Sequence, residues 1–224
     1  MNVQSIFLIV PVYNEGRIIK SVIVALKKTG YKNIIVIDDG SSDMTFDVVK
    51  KTGVTVLKHR INRGKGAALK TGMEAAKQFH ADVVVTFDGD GQHDPKDIVK
   101  LIYQVNKGYD VVLGSRYLTR QNIPWVRRVA NACANVFTYL LYDIWVTDSQ
   151  SGLRAYTKKA FEIIDTKSDR YEVESEALRD IKKYNLSYIE VPMRVRYTRY
   201  SLTKTTKQNL WSGFLTMMRL MLSK

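Results

Sequence analysis

Residues 83–93 read VVVTFDGDGQH and join an apolar run to two closely spaced carboxylates. The run predicts a buried strand, and Asp88 and Asp90 stand two positions apart at its end. Because side chains alternate along a strand, two acids at this spacing are expected to point the same way, and Gly89 between them lets a ligand approach the backbone. Such a pair suits a hard divalent cation that also holds phosphates. A solvated acidic turn before a helix fits the same residues.

Further apolar runs and amphipathic segments lie on both sides of this strand. The predicted strands are Ile6–Val12, Ile34–Ile37, Val54–Leu57, Val83–Phe87 and Val111–Leu113, and the predicted helices are Arg17–Lys28, Met44–Lys51, Gly66–Phe79 and Lys96–Asn106. Continuous Val and Ile runs separated by helices indicate an α/β fold, with a mostly parallel sheet flanked by helices. The alternation stops after about residue 115, so we expect one domain with a C-terminal appendage.

Polar loops follow three of the predicted strands, at residues 11–15, 38–42 and 88–94. Ligands of parallel sheets bind beyond the carboxyl ends of the strands, so we expect these loops to converge on one site. Residues 62–66 open the next helix, where free N–H groups and Lys65 predict an anion site. This segment is neither a Walker loop nor a dinucleotide-binding pattern, which disfavours kinase-like and NAD-binding functions.

Composition narrows the class of protein. The chain has 224 residues, 45% of them hydrophobic and 25% charged, which is typical of a folded protein with a substantial core. The single cysteine, Cys133, excludes an internal disulfide, and no Cys and His spacing indicates a zinc site. We find no signal peptide and no uncharged stretch of the ~18–20 residues that span a bilayer, so we expect no membrane crossing. The net charge of +13 favours anionic partners.

Six short motifs occur in order along the chain. They are PVYNE at 11–15, DDGS at 38–41, NRGKG at 62–66, DGDGQH at 88–93, GSR at 114–116 and DSQSGLR at 148–154. Together they resemble glycosyltransferase family 2, and within it the branch of dolichyl-phosphate mannosyltransferases and polyprenyl-phosphate glycosyltransferases. The resemblance implies a GT-A (Rossmann-like) fold and an inverting sugar transfer from a nucleotide-diphosphate sugar, with Mg²⁺ or Mn²⁺ as cofactor.

The resemblance also implies roles for individual residues. The nucleotide sugar is expected at Pro11, Tyr13, Glu15, Asp39, Lys65, Asp88, Gly89, Asp90 and Arg116. The metal is expected at Asp90 and Gln92, and the acceptor phosphate at Arg127, Ser151, Arg154, Arg196 and Lys204. The expected catalytic residues are Asp90, Arg116, Arg154 and Arg196. A metal and arginines suit this reaction because the departing nucleoside diphosphate carries extra negative charge.

A lipid monophosphate as acceptor needs cations rather than a base. Its second pKa is about 6, so it is largely ionised at pH 7, whereas a sugar hydroxyl needs a carboxylate to take its proton. The chain departs from its relatives here, because Arg199 replaces a glycine and Lys204 falls later than usual. Whether Ser201 or Lys204 assists Arg196 stays open. Glu174 is a candidate for approaching the sugar or the acceptor, and an acidic helix start is the alternative.

Two segments carry apolar residues at helical spacing. One stripe is Trp125, Val126, Val129, Cys133, Val136, Phe137 and Leu140, and the other is Leu210, Trp211, Phe214, Leu215, Met218, Met221 and Leu222. Each stripe suits a helix in a membrane interface, and each also suits packing against the core or a twin subunit. We expect a catalytic domain over residues 1–205 and a C-terminal amphipathic helix over residues 206–224, at the membrane or at a dimer contact.

The sequence therefore favours a polyprenyl-phosphate sugar transferase that is peripheral on the cytoplasmic face of the membrane. GDP-mannose is the first donor by resemblance, with UDP-glucose or a UDP-N-acetylhexosamine as alternatives. A soluble family member that acts on a hydroxyl acceptor is the second hypothesis. The expected partners are a nucleotide-diphosphate sugar, polyprenyl or dolichyl phosphate, the membrane surface, and a membrane-anchoring partner or a second copy. Nucleic acid is not expected, because no recognition motif accompanies the charge.

Overall fold

The computed structural model describes residues 5–119, 121, 123–165, 169 and 173–196. The strands are β1 (Ile6–Val12), β2 (Asn33–Asp38), β3 (Thr55–Lys58), β4 (Val83–Thr86), β5 (Val111–Ser115), β6 (Arg154–Thr157) and β7 (Tyr188–Pro192). The helices are α1 (Ile19–Lys27), α2 (Thr45–Lys50), α3 (Lys65–Gln78), α4 (Ile98–Val105), α5 (Trp125–Tyr142), α6 (Lys158–Ile163) and α7 (Val173–Lys183). A short 3₁₀ turn, Pro95–Asp97, precedes α4.

The strands form one sheet in the order β3-β2-β1-β4-β6-β5-β7. β1 is parallel to β2 and β4, β2 is parallel to β3, and β5 is parallel to β7. β6 runs antiparallel to both of its neighbours, β4 and β5. The prediction of a mostly parallel sheet is confirmed, and the carboxyl ends of β1, β2 and β4 meet at one edge.

The structure corrects the prediction for the second half of the chain. The elements expected before residue 115 all occur, but the alternation does not stop there, since α5, β6, α6, α7 and β7 follow. β6 has four residues and begins with a buried arginine, Arg154, so it lacks the apolar run of a central strand. β7 lies at the sheet edge and carries Glu190 at its centre. Both strands therefore lack the signal by which the earlier ones are found.

The sheet is covered on both faces. Alternate residues of β1 point to opposite faces, with Leu8 and Val10 in one core cluster and Ile9 in the other. The first cluster includes buried residues of α1, α2 and α4, and the second includes buried residues of α3, α6 and α7. This two-sided burial holds the strands in place and leaves the loops at their carboxyl ends available to form a site.

Helix α5 reverses the usual pattern of a surface helix. Its buried residues are polar, namely Asn131, Asn135 and Thr138. Its large apolar side chains face outward, with Trp125 74% and Leu140 73% exposed. These two side chains therefore do not pack against the core of this chain, which was one interpretation of the stripe.

The C-terminal stripe and the domain boundary at residue 205 lie outside the described residues. Among the residues that the structure describes, no helix is both long and apolar enough to cross a bilayer.

Candidate active site

The loops after β1 and β2 are held together by Asn14. This residue has a left-handed backbone (φ 53°), which asparagine tolerates better than most residues. Its Oδ1 accepts a hydrogen bond from the backbone of Ser42 at 2.9 Å, and its own N–H donates to Ser41 Oγ at 2.9 Å. Tyr13 beside it is half-buried and Glu15 is buried. The structure thus brings two of the predicted loops together, while the contacts of Tyr13 and Glu15 with a nucleoside stay a prediction.

Asp39 fastens the segment that leads into α3. Its Oδ2 accepts a hydrogen bond from the backbone of Gly64 at 2.7 Å, and its Oδ1 accepts one from the backbone of Arg63 at 3.0 Å. His59 Nδ1 lies 2.7 Å from the same Oδ1. The next residue, Gly40, has φ +72° and packs so closely on this segment that a Cβ would lie 2.5 Å from its backbone. Asp39 therefore shapes the loop, and its contact with a nucleoside stays a prediction.

The two carboxylates after β4 have different partners. β4 ends at Thr86, so Asp88 and Asp90 lie beyond the strand, and the alternation rule does not align them. Asp88 Oδ1 accepts from Lys65 Nζ at 2.6 Å, and its Oδ2 lies 3.2 Å from His93 Nε2. Asp88 is therefore part of a charge cluster inside the protein rather than one half of an acidic pair.

Gly89 has a packing role that the sequence did not indicate. A Cβ at this position would lie 2.4 Å from Val12 Cγ1 and 3.2 Å from the carbonyl oxygen of Pro11. The glycine is needed because the loop after β4 packs directly on the end of β1, where Pro11 lies. Close approach of a ligand to Gly89 stays a prediction.

Lys65 is the centre of a charge cluster that is largely but not fully buried. Its Nζ contacts Asp88 at 2.6 Å and Glu174 Oε1 at 2.8 Å. Burial alone would favour the neutral form of each group, but attraction within the cluster outweighs it, so the pKa of Lys65 is raised and that of Asp88 is lowered. Gly152 lies against the ion pair, since a Cβ there would lie 2.5 Å from Asp88 Oδ2. The cluster joins the loop after β4 to α3 and α7.

Glu174 lies at an acidic helix start, which is one of the two alternatives that the sequence left open, and its approach to the sugar or the acceptor stays a prediction. It lies in the first turn of α7, and its side chain is buried against Lys65. Its Oε2 is buried and, among the described residues, has no hydrogen-bond partner.

Asp90 and Gln92, the two residues predicted to bind the metal, are hydrogen-bonded to each other, while metal binding by them stays a prediction. Gln92 donates to Asp90 twice, from its backbone at 2.9 Å and from its side-chain amide at 2.6 Å. In the described part of the chain Asp90 forms no ion pair with a side chain, and no three His, Cys, Asp or Glu residues form a metal cluster. Mg²⁺ or Mn²⁺ at a phosphate site needs only one or two carboxylates, because water and phosphate supply the other ligands. The donor set therefore fits such an ion.

Arg116 is held by a fully buried carboxylate. Its Nε donates to Asp148 Oδ2 at 2.7 Å and its second guanidinium nitrogen donates to Asp148 Oδ1 at 2.7 Å. Its backbone N–H donates to Asp148 as well, at 3.0 Å. Arg116 follows β5 directly and remains partly exposed. The bidentate pair fixes the direction of the guanidinium, and binding of a diphosphate by Arg116 stays a prediction.

Arg154 and Ser151 lie inside the protein. The guanidinium of Arg154 is buried and donates to three backbone carbonyl groups, those of Ser149, Ser151 and Glu174. Ser151 is buried too, with its hydroxyl 3.7 Å from Met193 Sδ. The structure places Arg154 opposite Thr86, the last residue of β4, but it buries the side chains of both Arg154 and Ser151. It gives Arg154 the role of a clamp on the 149–151 turn and on α7, and phosphate binding by these two residues stays a prediction.

Arg196 lies beside the loop that carries Asp90 and Gln92. Its backbone N–H donates to the carbonyl oxygen of Gln92 at 2.8 Å, and its exposed guanidinium donates to Asp94 at 2.7 Å. This position agrees with the predicted phosphate role without testing it. Arg127 lies on α5, where its carbonyl oxygen accepts from Tyr117, and Lys204 lies outside the described residues.

Comparison with known proteins decides the family. The model described as glycosyl transferase family 2 matches residues 7–165. The chain belongs to glycosyl transferase family 2. The family predicted from the order of the motifs is confirmed.

Relatives within glycosyl transferase family 2 match nearly the whole chain. A UDP-N-acetylglucosamine--dolichyl-phosphate N-acetylglucosaminyltransferase from Methanococcus voltae is 39% identical over 98% of this chain and 96% of its own length. A polyprenol monophosphomannose synthase from Mycolicibacterium smegmatis is 28% identical over 92% of this chain and 83% of its own length.

Solved structures agree with the GT-A fold predicted for this family 2 member. Glucosyl-3-phosphoglycerate synthase from Mycobacterium tuberculosis superposes with a TM-score of 0.75, covering 97% of this chain and 78% of that one at 22% identity. The same synthase has been crystallised with Mn²⁺ and uridine diphosphate. At this identity the likeness establishes the fold of the chain, and the GT-A prediction is confirmed.

Several residues of this family 2 site were missed by sequence reasoning. Asp148 was identified only as part of a motif, and its hold on Arg116 needs residues 32 positions apart to meet. Glu190 and His59 had no local signal, because each acts on a loop that comes close only in the fold. His93 is part of the motif at 88–93, but the motif did not indicate its contact with Asp88.

Proposed function

We propose that this protein transfers a sugar from a nucleotide-diphosphate sugar to a polyprenyl monophosphate. The observation that carries the proposal is the 39% identity to a dolichyl-phosphate sugar transferase over 98% of this chain. The arrangement at the carboxyl edge of the sheet supports it, because a carboxylate suited to a divalent cation lies close to an exposed arginine. Asp90 is hydrogen-bonded to Gln92, and the backbone of Arg196 is hydrogen-bonded to the same residue.

The proposed donor is UDP-N-acetylglucosamine. GDP-mannose comes first by resemblance of motifs alone, and the mannose synthase relative keeps it open at 28% identity. The N-acetylglucosaminyltransferase is more similar and covers more of the chain. We therefore place the UDP sugar first and GDP-mannose second.

The roles of the side chains follow from their charges. Asp90, with Gln92, would hold Mg²⁺ or Mn²⁺, which neutralises charge on the departing nucleoside diphosphate. Arg116, kept in one direction by Asp148, would donate to the same diphosphate. Arg196 would bind the acceptor phosphate, exchanging its exposed pair with Asp94 for a dianionic ligand. No general base is required, because the phosphate oxygen is already ionised at pH 7.

A lipid acceptor requires a route to the membrane surface, and the outer face of α5 is the proposed contact. Trp125 and Leu140 expose apolar area on this face, and the neighbouring Arg128 is exposed. The net charge of +13 favours an anionic bilayer over a neutral partner. An apolar stripe with a tryptophan and nearby cations is typical of interfacial helices.

A transfer assay tests the proposed function. Purified protein is incubated with Mn²⁺, a detergent-solubilised polyprenyl phosphate and either UDP-N-acetylglucosamine, UDP-glucose or GDP-mannose, and the lipid-linked sugar is measured. We expect product with UDP-N-acetylglucosamine and at least tenfold less with the others. Product with GDP-mannose alone would overturn the donor, and transfer only to water-soluble sugars would overturn the acceptor. Thermal shifts with the same donors report binding separately, because a ligand that binds only the folded protein stabilises it by RT ln(1 + [L]/Kd).

A further inference from the structure

The turn at residues 147–149 is hydrogen-bonded to two elements, β7 and α5. From β7, the carboxylate of Glu190 accepts from the backbone of Thr147 at 2.9 Å and from that of Asp148 at 3.2 Å. From α5, Asn135 Nδ2 donates to the carbonyl oxygen of Thr147 at 2.9 Å, while its Oδ1 accepts from the backbone of Ser149 at 3.1 Å. Asn135 therefore bonds the residue before Asp148 and the residue after it.

The orientation of the Asn135 amide is set by these two contacts. A carbonyl group accepts only and an N–H donates only, so one orientation of the amide satisfies both and the reverse satisfies neither. Asn135 is buried, and a buried amide is costly unless it is hydrogen-bonded. The two inward asparagines of α5 are thus explained by the turn that they contact, because Asn131 Nδ2 also donates to the carbonyl oxygen of Thr147, at 2.8 Å.

The contacts that hold this turn in place also hold the side chain of Arg116 in place. Asp148 lies at its centre with a fully buried side chain, and both of its oxygens accept from the Arg116 guanidinium. A rotation of the turn would carry the carboxylate away from Arg116, because a bidentate pair tolerates little change in direction.

We propose that Asn135 is a positioning residue for Arg116, acting through the 147–149 turn. This proposal depends on the proposed function only for the role of Arg116 in sugar transfer, and not for the position of its side chain. It also links the two faces of α5. The helix whose outer side chains are proposed to meet the bilayer has its inner side chain on the turn that holds Arg116, so one rigid element contacts both.

The first test measures the position of Arg116 without any substrate. Exchange of the Arg116 Nε proton with water is followed by NMR, with the signal assigned by its loss in Arg116→Lys. In the wild type this proton is protected by its bond to Asp148. We expect Asn135→Leu to speed its exchange at least tenfold. Thr138→Val is the matched control, since Thr138 is buried on the same face of α5, and we expect a change below twofold.

Two results would overturn the proposal. One is exchange in Asn135→Leu within twofold of the wild type, and the other is equal acceleration in Thr138→Val, which would indicate general loosening of α5. If Asn135→Leu does not fold, Asn135→Asp replaces it, because the carboxylate still accepts from Ser149 but cannot donate to Thr147. That variant is expected to speed exchange at least threefold, and an unchanged rate counts against the proposal.

The second test is a double-mutant cycle on sugar transfer. Asn135→Leu is expected to lower kcat/KM for transfer from UDP-N-acetylglucosamine to polyprenyl phosphate at least tenfold in the wild-type background. In the Arg116→Ala background the same change should lower it less than twofold, because its target is already absent. Losses that multiply would contradict a role through Arg116. If the wild type transfers no sugar, the proposed function fails, while the exchange measurement still decides the role of Asn135.

Discussion

Replacing Lys65 with methionine removes the cation that contacts both Asp88 and Glu174 while keeping most of the side chain's volume. The three side chains are 19%, 24% and 7% exposed, in the order Lys65, Asp88 and Glu174, so two carboxylates would stay largely buried. Breaking a buried ion pair costs about 3–5 kcal/mol, because the remaining charge is left uncompensated. We expect Lys65→Met to lower the free energy of unfolding at pH 7 by that amount, a large part of the ~5–15 kcal/mol of a typical domain.

Urea unfolding of the ligand-free protein measures this loss. With a slope of about 2–3 kcal/mol per molar urea, the midpoint should fall by roughly 1–2.5 M. Lys70→Met on the same helix is the control, since its pair with Asp165 is exposed on both sides and should contribute less than about 1 kcal/mol. Adding Glu174→Gln to Lys65→Met should recover at least about 1 kcal/mol by removing one buried charge. Equal losses for the two lysines, or no recovery in the double variant, would contradict a stabilising role for Lys65 between the two carboxylates.

Three further predictions concern pH, the acceptor and the membrane. Because the pKa of Asp88 is lowered in the folded state, its ionised form stabilises the fold above the unfolded-state pKa of about 3.9; the stability gap between wild type and Asp88→Asn in urea should therefore shrink as the pH falls below about 4. Arg196→Ala should raise the KM for polyprenyl phosphate at least tenfold in steady-state transfer, whereas Lys182→Ala, which also removes an exposed cation paired with an aspartate, should change it less than twofold. Trp125→Glu should weaken sedimentation with anionic vesicles at least fivefold, whereas Val99→Glu, another exposed apolar position, should not; equal effects would argue against α5 as the contact.

The early part of the fold follows directly from the sequence, and the later part does not. Strands β1 to β5 have apolar runs and punctuating loops that periodicity detects, and their loops meet because parallel strands share one carboxyl edge. β6 carries a buried arginine, and β7 carries a carboxylate that binds a turn over 40 residues away, so neither has a local pattern.

The site divides in the same way. Asp90 and Gln92 are neighbours in sequence and meet in the structure as predicted. Arg154 was expected at a phosphate because of its motif, yet its guanidinium is buried against backbone carbonyls. The asparagines of α5 illustrate why such contacts are not predicted. They bind a turn that is distant in sequence, and only the fold brings the two together.

The most direct measurement compares two acceptors that differ in a single group. Transfer from UDP-N-acetylglucosamine is measured with a polyprenyl monophosphate and with the free polyprenol of the same chain length, in the same detergent with Mn²⁺. We expect lipid-linked sugar with the monophosphate and at least a hundredfold less with the alcohol, because the proposed site has cations for a phosphate and no general base for a hydroxyl. Equal transfer to the alcohol, or transfer to neither lipid, would contradict the proposed function.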